Sequence, residues 1–294
     1  MHYKKTTLLF AFMMSFLSSQ SQNMSDVQIE TVELSENVYM LIGRGGNMGV
    51  SIGEDGVFVI DDQFAPLTPK HLEAIRKLSD GPIQYLVNTH WHGDHTGGNE
   101  NMAKAGATIM AHDNVRKRLA ETPNRQNELA PKEALPVITY DSQMTVHMNG
   151  EPVAIYHVDK AHTDGDSIIY FAESNVMHTG DTYFQARYPY IDLNSGGSVD
   201  GYIAAVERSL MLIDDETKII PGHGPVSNKK EYAAFLKMMK ELRTNVLASI
   251  KAGKAEDEII NDSTITEKYD DLGYAWNFIT SERIRQTFYN SLKD

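Results

Sequence analysis

"THWHGDHTGGN", residues 89–99, places His90, His92, Asp94 and His95 within six consecutive positions of a chain that holds only 11 histidines. The stretch before it, "IQYLVN" at 83–88, is apolar and reads as a strand. Before that, residues 69–79 set Leu72, Ile75 and Leu78 at helical spacing. Helix, strand and a polar loop in this order form an α/β unit, and such sheets gather catalytic groups at their strand ends. His90 and His92 stand two apart, so extended geometry through Trp91 would send both imidazoles to one side. Gly93 gives the chain a place to turn, bringing Asp94 and His95 to a second position beside the first. Imidazole nitrogen and carboxylate oxygen are both zinc ligands, usually about four to an ion, with one place left open at a catalytic site.

Outward from this unit the pattern is of short strands first. "VQIETVEL", "NVYMLIG", "MGVSIG" and "GVFVIDD" fill residues 27–62, and "ATIMAH" with a helix from Asn114 follows the histidine cluster. The order then restarts. "MTVHM", "EPVAIYHV", "SIIYF" and "NVMHTGD" read as strands, followed by a helix over 199–213, the strand "TKIIPGHG" and a long helix from Asn228 toward Ala252. In that last helix Tyr232, Phe235, Leu236, Met239, Leu242 and Val246 form an apolar stripe, read as core packing. Strands then helices, twice over, predict an α/β fold of two similar halves, packed sheet to sheet with helices outside. The polar segment 121–136, with three prolines, reads as the link between them. More ligand types occur in the turns beside strands of the second half: His162 in "AHTDGDS", Asp181 in "HTGDT" and His223 in "PGHG".

These motifs together resemble the metallo-β-lactamase fold superfamily, four-layer αββα sandwiches that act as hydrolases. The resemblance covers nearly all of the chain beyond its first residues. It implies one ion on His90, His92 and His162, a second on Asp94, His95 and His223, and Asp181 bridging both. Asp61, ending "VFVID", matches an aspartate that supports the metal loop without binding metal. The cofactor implied is a pair of Zn2+ ions per chain, with manganese or iron as alternatives because the ligand set is all imidazole and carboxylate. The reaction implied is acyl hydrolysis by a water that the metals activate, with Asp94 orienting that water.

Within the superfamily the ligand set is similar to glyoxalase II and the di-metal lactonases, because β-lactamases with a cysteine ligand carry it where Asp181 stands. "LNSGG" at 193–197 is similar to an asparagine loop of β-lactamases, which makes Asn194 a candidate oxyanion donor. Their substrate-binding lysine is replaced by Phe184, and Arg187 is a candidate substitute. The aromatic run "YFQARYPY" at 183–190 is either a wall for an apolar substrate or packing between sheet and helix. The expected function is therefore β-lactam hydrolysis, with a lactonase or thioesterase on the same site as the alternative and a non-catalytic metal-stabilised module as a remote one. His112, His147, His157 and His178 read as structural, and His178 is close enough to Asp181 to support it.

Composition bounds these readings. With 294 residues, 41% of them hydrophobic, the chain can bury a large single core. Lys4 and Lys5, an apolar run over 8–17 and small polar residues after it read as a cleaved export signal over residues 1–22, leaving a hydrolase domain over 23–294. That run is shorter than the roughly 20 residues a membrane-spanning helix needs, so no stable anchor is expected. The absence of cysteine excludes disulfides and thiolate ligands, and the net charge of −13 excludes a nucleic-acid partner in favour of a small molecule. The stretch 274–292 is apolar at helical intervals and would pack on the domain, cap the pocket or meet a partner.

Overall fold

The computed structural model describes residues 24–124 and 127–293. The expected export signal therefore lies outside the described residues.

Seven strands form the first sheet, side by side in chain order: β1 (Glu30–Glu33), β2 (Val38–Ile42), β3 (Met48–Gly53), β4 (Gly56–Ile60), β5 (Ile83–Asn88), β6 (Thr108–His112) and β7 (Ile138–Tyr140). The first four pair antiparallel through short turns. From β4 onward the pairing is parallel, which requires helical crossovers. These are α1 (Thr68–Leu78), then α2 (Gly93–Thr96) with α3 (Asn99–Lys104), then α4 (Asp113–Glu121). The second sheet holds β8 (Gln143–Met148), β9 (Glu151–His157), β10 (Ser167–Phe171), β11 (Val176–His178), β12 (Lys218–Ile220) and β13 (Ser227–Asn228), in the order β13-β12-β11-β10-β9-β8. Only β11 and β12 are parallel there, joined by α5 (Val199–Leu212). After β13 come α6 (Lys229–Lys251), α7 (Glu256–Asn261), α8 (Glu267–Asp270) and α9 (Ser281–Leu292).

The strand β4, "GVFVI", shows why the layers stack as they do. All five residues are buried, which a strand achieves only when both faces are covered. Phe58 and Ile60 pack into the space between the sheets with Ile155, Ile169 and Phe171, and the Phe58 and Phe171 rings meet edge to face at 6.2 Å. Val57 and Val59 face the other way, onto Ala74 and Ile75 of α1 and Met102 of α3. The outer face of the second sheet is covered likewise: Ile168, Met177 and Ile219 pack with Tyr202 of α5, Phe235 and Met239 of α6, and Phe288 of α9. The α6 stripe is core, as its spacing predicts, and the Asn228 side chain caps the helix by accepting from Glu231 N.

The segment 121–136 is not the link between the halves. Beyond it β7 pairs with β6, so the segment lies inside the first half and the sheets are joined through Asp141 and Ser142. Two of the three β7 residues are exposed, which leaves no alternation for a sequence pattern to register. The carboxyl ends of the parallel pairs β4–β5 and β11–β12 lead into the segments that carry Asp61, the residue 89–95 cluster, Asp181 and His223.

Candidate metal centre

The strand does not continue through Trp91. β5 stops at Asn88, residues 89–91 bend, and His92 becomes the residue that precedes α2. The two imidazoles converge nonetheless, with ring centroids 4.8 Å apart at 88°. Gly93 is simply the first residue of α2, whose single turn presents Asp94 and His95 on the side toward Asp181. Gly97 and Gly98 do not line the ions' position; they pass against the backbone of Asp62 and Gln63.

His162 lies in the turn between β9 and β10, held because the Asp166 carboxylate accepts from Thr163 N at 2.7 Å and Thr163 Oγ1 at 2.6 Å. Its Nε2 stands 2.9 Å from His92 Nδ1. The outer nitrogen of each imidazole in this trio is already committed. His162 Nδ1 donates to Tyr190 O at 2.8 Å, and His92 Nε2 donates to Asp192 Oδ2 at 3.0 Å. His90 Nδ1 meets Thr89 Oγ1 at 3.0 Å, and that hydroxyl spends its own proton on Asp61 Oδ2 at 2.8 Å, so the ring is the donor. A neutral imidazole that donates from one nitrogen offers a bare lone pair on the other. Three lone pairs therefore point inward, and a cation is the species that relieves their repulsion. His90 Nε2 is buried with no hydrogen-bond partner, and His95 Nε2 and Asp181 Oδ1 are buried with only each other and His223 in reach; these are the groups that the centre leaves for a metal.

Asp181 follows β11 on a tight turn and is 5% exposed. Its two oxygens face different trios. Oδ2 lies 3.6 Å from His162 Nε2 and 3.9 Å from His90 Nε2, while Oδ1 lies 3.1 Å from His95 Nε2 and 3.4 Å from His223 Nε2. Asp94 Oδ2 completes the second group at 3.4 Å from His223 Nε2 and 3.8 Å from His95 Nε2. Two potential ion positions result: His90, His92, His162 and Asp181 at one, and Asp94, His95 and His223 at the other, with ligand atoms inside each group within 4.8 Å of one another. The close approach depends on Gly222, where a Cβ would strike Asp181 Oδ1 and Gly180 O.

Asp61 supports this arrangement from beneath. Fully buried, and with φ of 59°, it accepts from Thr89 N at 2.8 Å, Thr89 Oγ1 at 2.8 Å and His95 Nδ1 at 2.7 Å. His178 positions the Asp181 turn: its Nδ1 accepts from Gly180 N, and its Nε2 donates to Asn47 O. Asp192 was not legible in the sequence. Only its cap on the turn Leu193–Ser195, where it accepts from Ser195 N, has a sequence signal. Asn194 is exposed on that same turn.

Electrostatics divide the two groups. Burial pushes the His90 and His162 imidazoles down, His162 to about 4, so both are neutral near pH 7 and available as ligands. In the second group burial works against protonation too, but the carboxylates of Asp181, Asp61 and Asp94 outweigh it at His95, and those of Asp181 and Asp94 raise His223 to about 9. The carboxylates there demand positive charge, which protons supply and a divalent ion would replace. The donor set fits zinc, and its lack of thiolate also suits manganese or iron.

With this geometry in place, the likeness to known proteins is informative. The model of the metallo-beta-lactamase superfamily matches residues 41–223. The chain belongs to that superfamily. It is 25% identical over 226 residues to a hydroxyacylglutathione hydrolase of Nitrosococcus oceani, covering 76% of this chain and 80% of that one. To a type 2 metallo-beta-lactamase of Bacteroides fragilis it is 22% identical over 233 residues, covering 72% and 86%. Its fold is similar to that of a metallo-beta-lactamase from Pontibacter korlensis, with a TM-score of 0.62 at 17% identity over 72% of this chain and 99% of the other. The chain is thus a hydrolase of the metal-dependent αββα class, and the family match ends before α6 to α9.

Proposed function

We propose that the chain is a two-metal hydrolase, with zinc as first candidate, that opens a cyclic amide or ester, a β-lactam being the first substrate class. His90, His92 and His162 would hold one ion, Asp94, His95 and His223 the other, and Asp181 would bridge. The observation that carries this reading is the Asp181 carboxylate, which turns one oxygen to each histidine group. When bound, a pair of divalent cations supplies Lewis acidity toward a carbonyl and acidifies water from a pKa of about 15.7 toward about 7. The chain's residues do the positioning. Asp94, His223 and His92 are 30%, 19% and 17% exposed, so the centre opens to solvent along their side. Asp94 is the carboxylate on that open side and would orient a water there. Asn194 is the candidate donor to the developing oxyanion.

The β-lactam reading draws on the likeness to the Bacteroides fragilis protein and on the Asn194 turn. A second reading, hydrolysis of a thioester or lactone, is favoured by the carboxylate at position 181 and by the likeness to hydroxyacylglutathione hydrolases. Export of the mature domain is part of the first reading, and cell fractionation tests it. Turnover of nitrocefin, an acyl-homoserine lactone and a glutathione thioester, with metal counted per chain, separates the readings. Two metals per chain with nitrocefin turned over most efficiently is the expected result. Asp181→Ala should lose both metal and turnover; full metal content with unchanged turnover in that variant would refute the assignment.

A further inference from the structure

The open side of the centre is bounded by an unbroken arc of aromatic rings. Tyr190 stacks on His92 at 5.7 Å and 26°, and Phe184 stacks on His223 at 5.0 Å and 20°. Between them Phe278 meets Tyr190 at 5.2 Å, Trp276 meets Phe278 at 5.6 Å, and Trp276 meets Phe184 at 6.2 Å. Half of this arc comes from residues 276–278, beyond the family match. It is fastened to the 183–190 loop: Trp276 Nε1 donates to Tyr188 O at 3.0 Å, and Tyr188 N donates to Tyr274 O at 2.9 Å. Phe278 is nonetheless 44% exposed, which leaves apolar surface beside the opening.

Two guanidinium groups sit on the arc. Arg283 lies 4.3 Å from the Phe278 ring centre and 5.6 Å from that of Tyr190, and Arg187 lies 5.7 Å from that of Trp276. Among the described residues neither forms an ion pair with a carboxylate, in a chain with 40 acidic and 27 basic residues. Arg118, Arg243 and Arg285 each have such a partner, while Arg116 and Arg208 bond backbone carbonyls instead; what sets Arg187 and Arg283 apart is their seat on the arc beside the opening. A ring satisfies one face of a guanidinium only; Arg283 also donates from Nη1 to Phe278 O at 2.8 Å, and its remaining N–H groups and those of Arg187 are available to an anion. With cations bound in the centre, a carboxylate placed between it and the arginines would be attracted from both sides.

We infer that Arg187 and Arg283 form an anion-binding rim on this aromatic arc, selecting acyl substrates that carry a carboxylate together with an aromatic or apolar group. Charged hydrogen bonds from arginine to carboxylate are the strong ones, and a guanidinium already stacked on a ring loses little freedom in making them. As a statement about substrate the rim rests on the hydrolase reading above; as a binding site it does not.

The test titrates the metal-loaded protein with phenylacetate and with phenylacetamide, followed by tryptophan fluorescence and calorimetry. The wild type should bind the carboxylate at least tenfold more tightly than the amide. Arg187→Gln with Arg283→Gln should erase that preference, and lysine at both positions should restore most of it. In parallel, KM for nitrocefin should rise at least tenfold in the double glutamine variant. A carboxylate preference that survives in the double glutamine variant would mean that the metals hold the anion, and would overturn the inference; so would its absence from the wild type. Should the wild type turn over no acyl substrate, the hydrolase reading fails while the titration still decides the rim.

Discussion

Asp61→Asn isolates what one carboxylate does for the centre. The native residue has φ of 59°, a conformation asparagine tolerates, so the backbone and side-chain volume are kept and only an oxygen becomes NH2. Asp61 now accepts three hydrogen bonds: Oδ1 from Thr89 N, Oδ2 from Thr89 Oγ1 and from His95 Nδ1. An amide serves one side only. If its oxygen keeps the immobile backbone N–H of Thr89, its NH2 faces His95 Nδ1, which must become an acceptor. The His95 proton then moves to Nε2, the nitrogen turned toward Asp181, and that nitrogen can no longer bind a metal. If the amide is flipped, two N–H groups oppose each other in a fully buried place, at a cost of about 1–3 kcal/mol. Either way the ion at Asp94, His95 and His223 should be held about 10–100-fold more weakly, or about 1.4–2.8 kcal/mol. The histidines of the other group keep their partners, since Thr89 Oγ1 can still accept from His90. Zinc titration of the metal-free variant against a chromophoric chelator should show the first equivalent bound as in the wild type and the second weakened. Two equivalents bound with wild-type affinity, or a loss confined to the first, would refute the role given to Asp61.

Burial without any partner on either ring nitrogen pushes His71 down to about 4, well below its ordinary value near 6.5. Its folded form is neutral, so stability is complete above pH 6.5 and falls as pH drops from there toward 4; between pH 7 and 4.5 that loss is about 2–3 kcal/mol. His71→Leu should remove it, seen as a smaller gap between urea midpoints at the two pH values, and an unchanged gap counts against the account. Phe58→Ala deletes the ring that bridges the sheets at Phe171 and should cost about 3–5 kcal/mol in urea unfolding; a cost near zero would mean the sheets do not meet there. Gly222→Ala should displace Asp181 and lower metal content below two per chain while far-UV circular dichroism is unchanged. Asn194→Ala should lower kcat by roughly a hundredfold with little change in KM; an unaltered kcat returns Asn194 to the exposed surface on which it stands.

The parts of the fold visible in the sequence are those whose burial repeats with a fixed period. β4 reads as an apolar run because both of its faces are covered, β5 does so over Leu86, Val87 and Asn88, which are buried in succession, and α6 shows its stripe over 23 residues. β7 and β13, of three and two residues, are strands only because a neighbour pairs with them, and pairing leaves no mark on composition. Because β7 leaves no such mark, the segment 121–136 reads as a boundary between the halves although it is a loop of the first one. The seven ligand candidates were legible for a different reason. Each is a metal-ligating residue type in a short glycine-bearing turn beside a strand, and the fold brings all of them together. What orders them was not legible, apart from Asp61. Asp192 reaches His92 across 100 positions, and the tautomer of His90 is set through a threonine hydroxyl that could have pointed elsewhere.

The C-terminal stretch makes the same point with the opposite outcome. Apolar residues recur at helical intervals over 274–292, yet only Ser281–Leu292 is helical. Ile284 and Phe288 on that helix pack into the core of the second half. Residues 274–280 pack Tyr274 and Trp276 on the edge of that same core without forming a helix, because the backbone hydrogen bond from Tyr188 to Tyr274 O and the Trp276 indole bond tie them to the loop after Asp181. A helix through this stretch would have to give up those two bonds and would turn Trp276 to the opposite side from Tyr274 and Phe278. Within the αββα scaffold, the candidate ligands stand beside strand ends inside the family match, whereas the far wall of the opening is built by a segment outside it. Selectivity among acyl substrates should accordingly change with Trp276 and Phe278 before it changes with any residue of the two sheets.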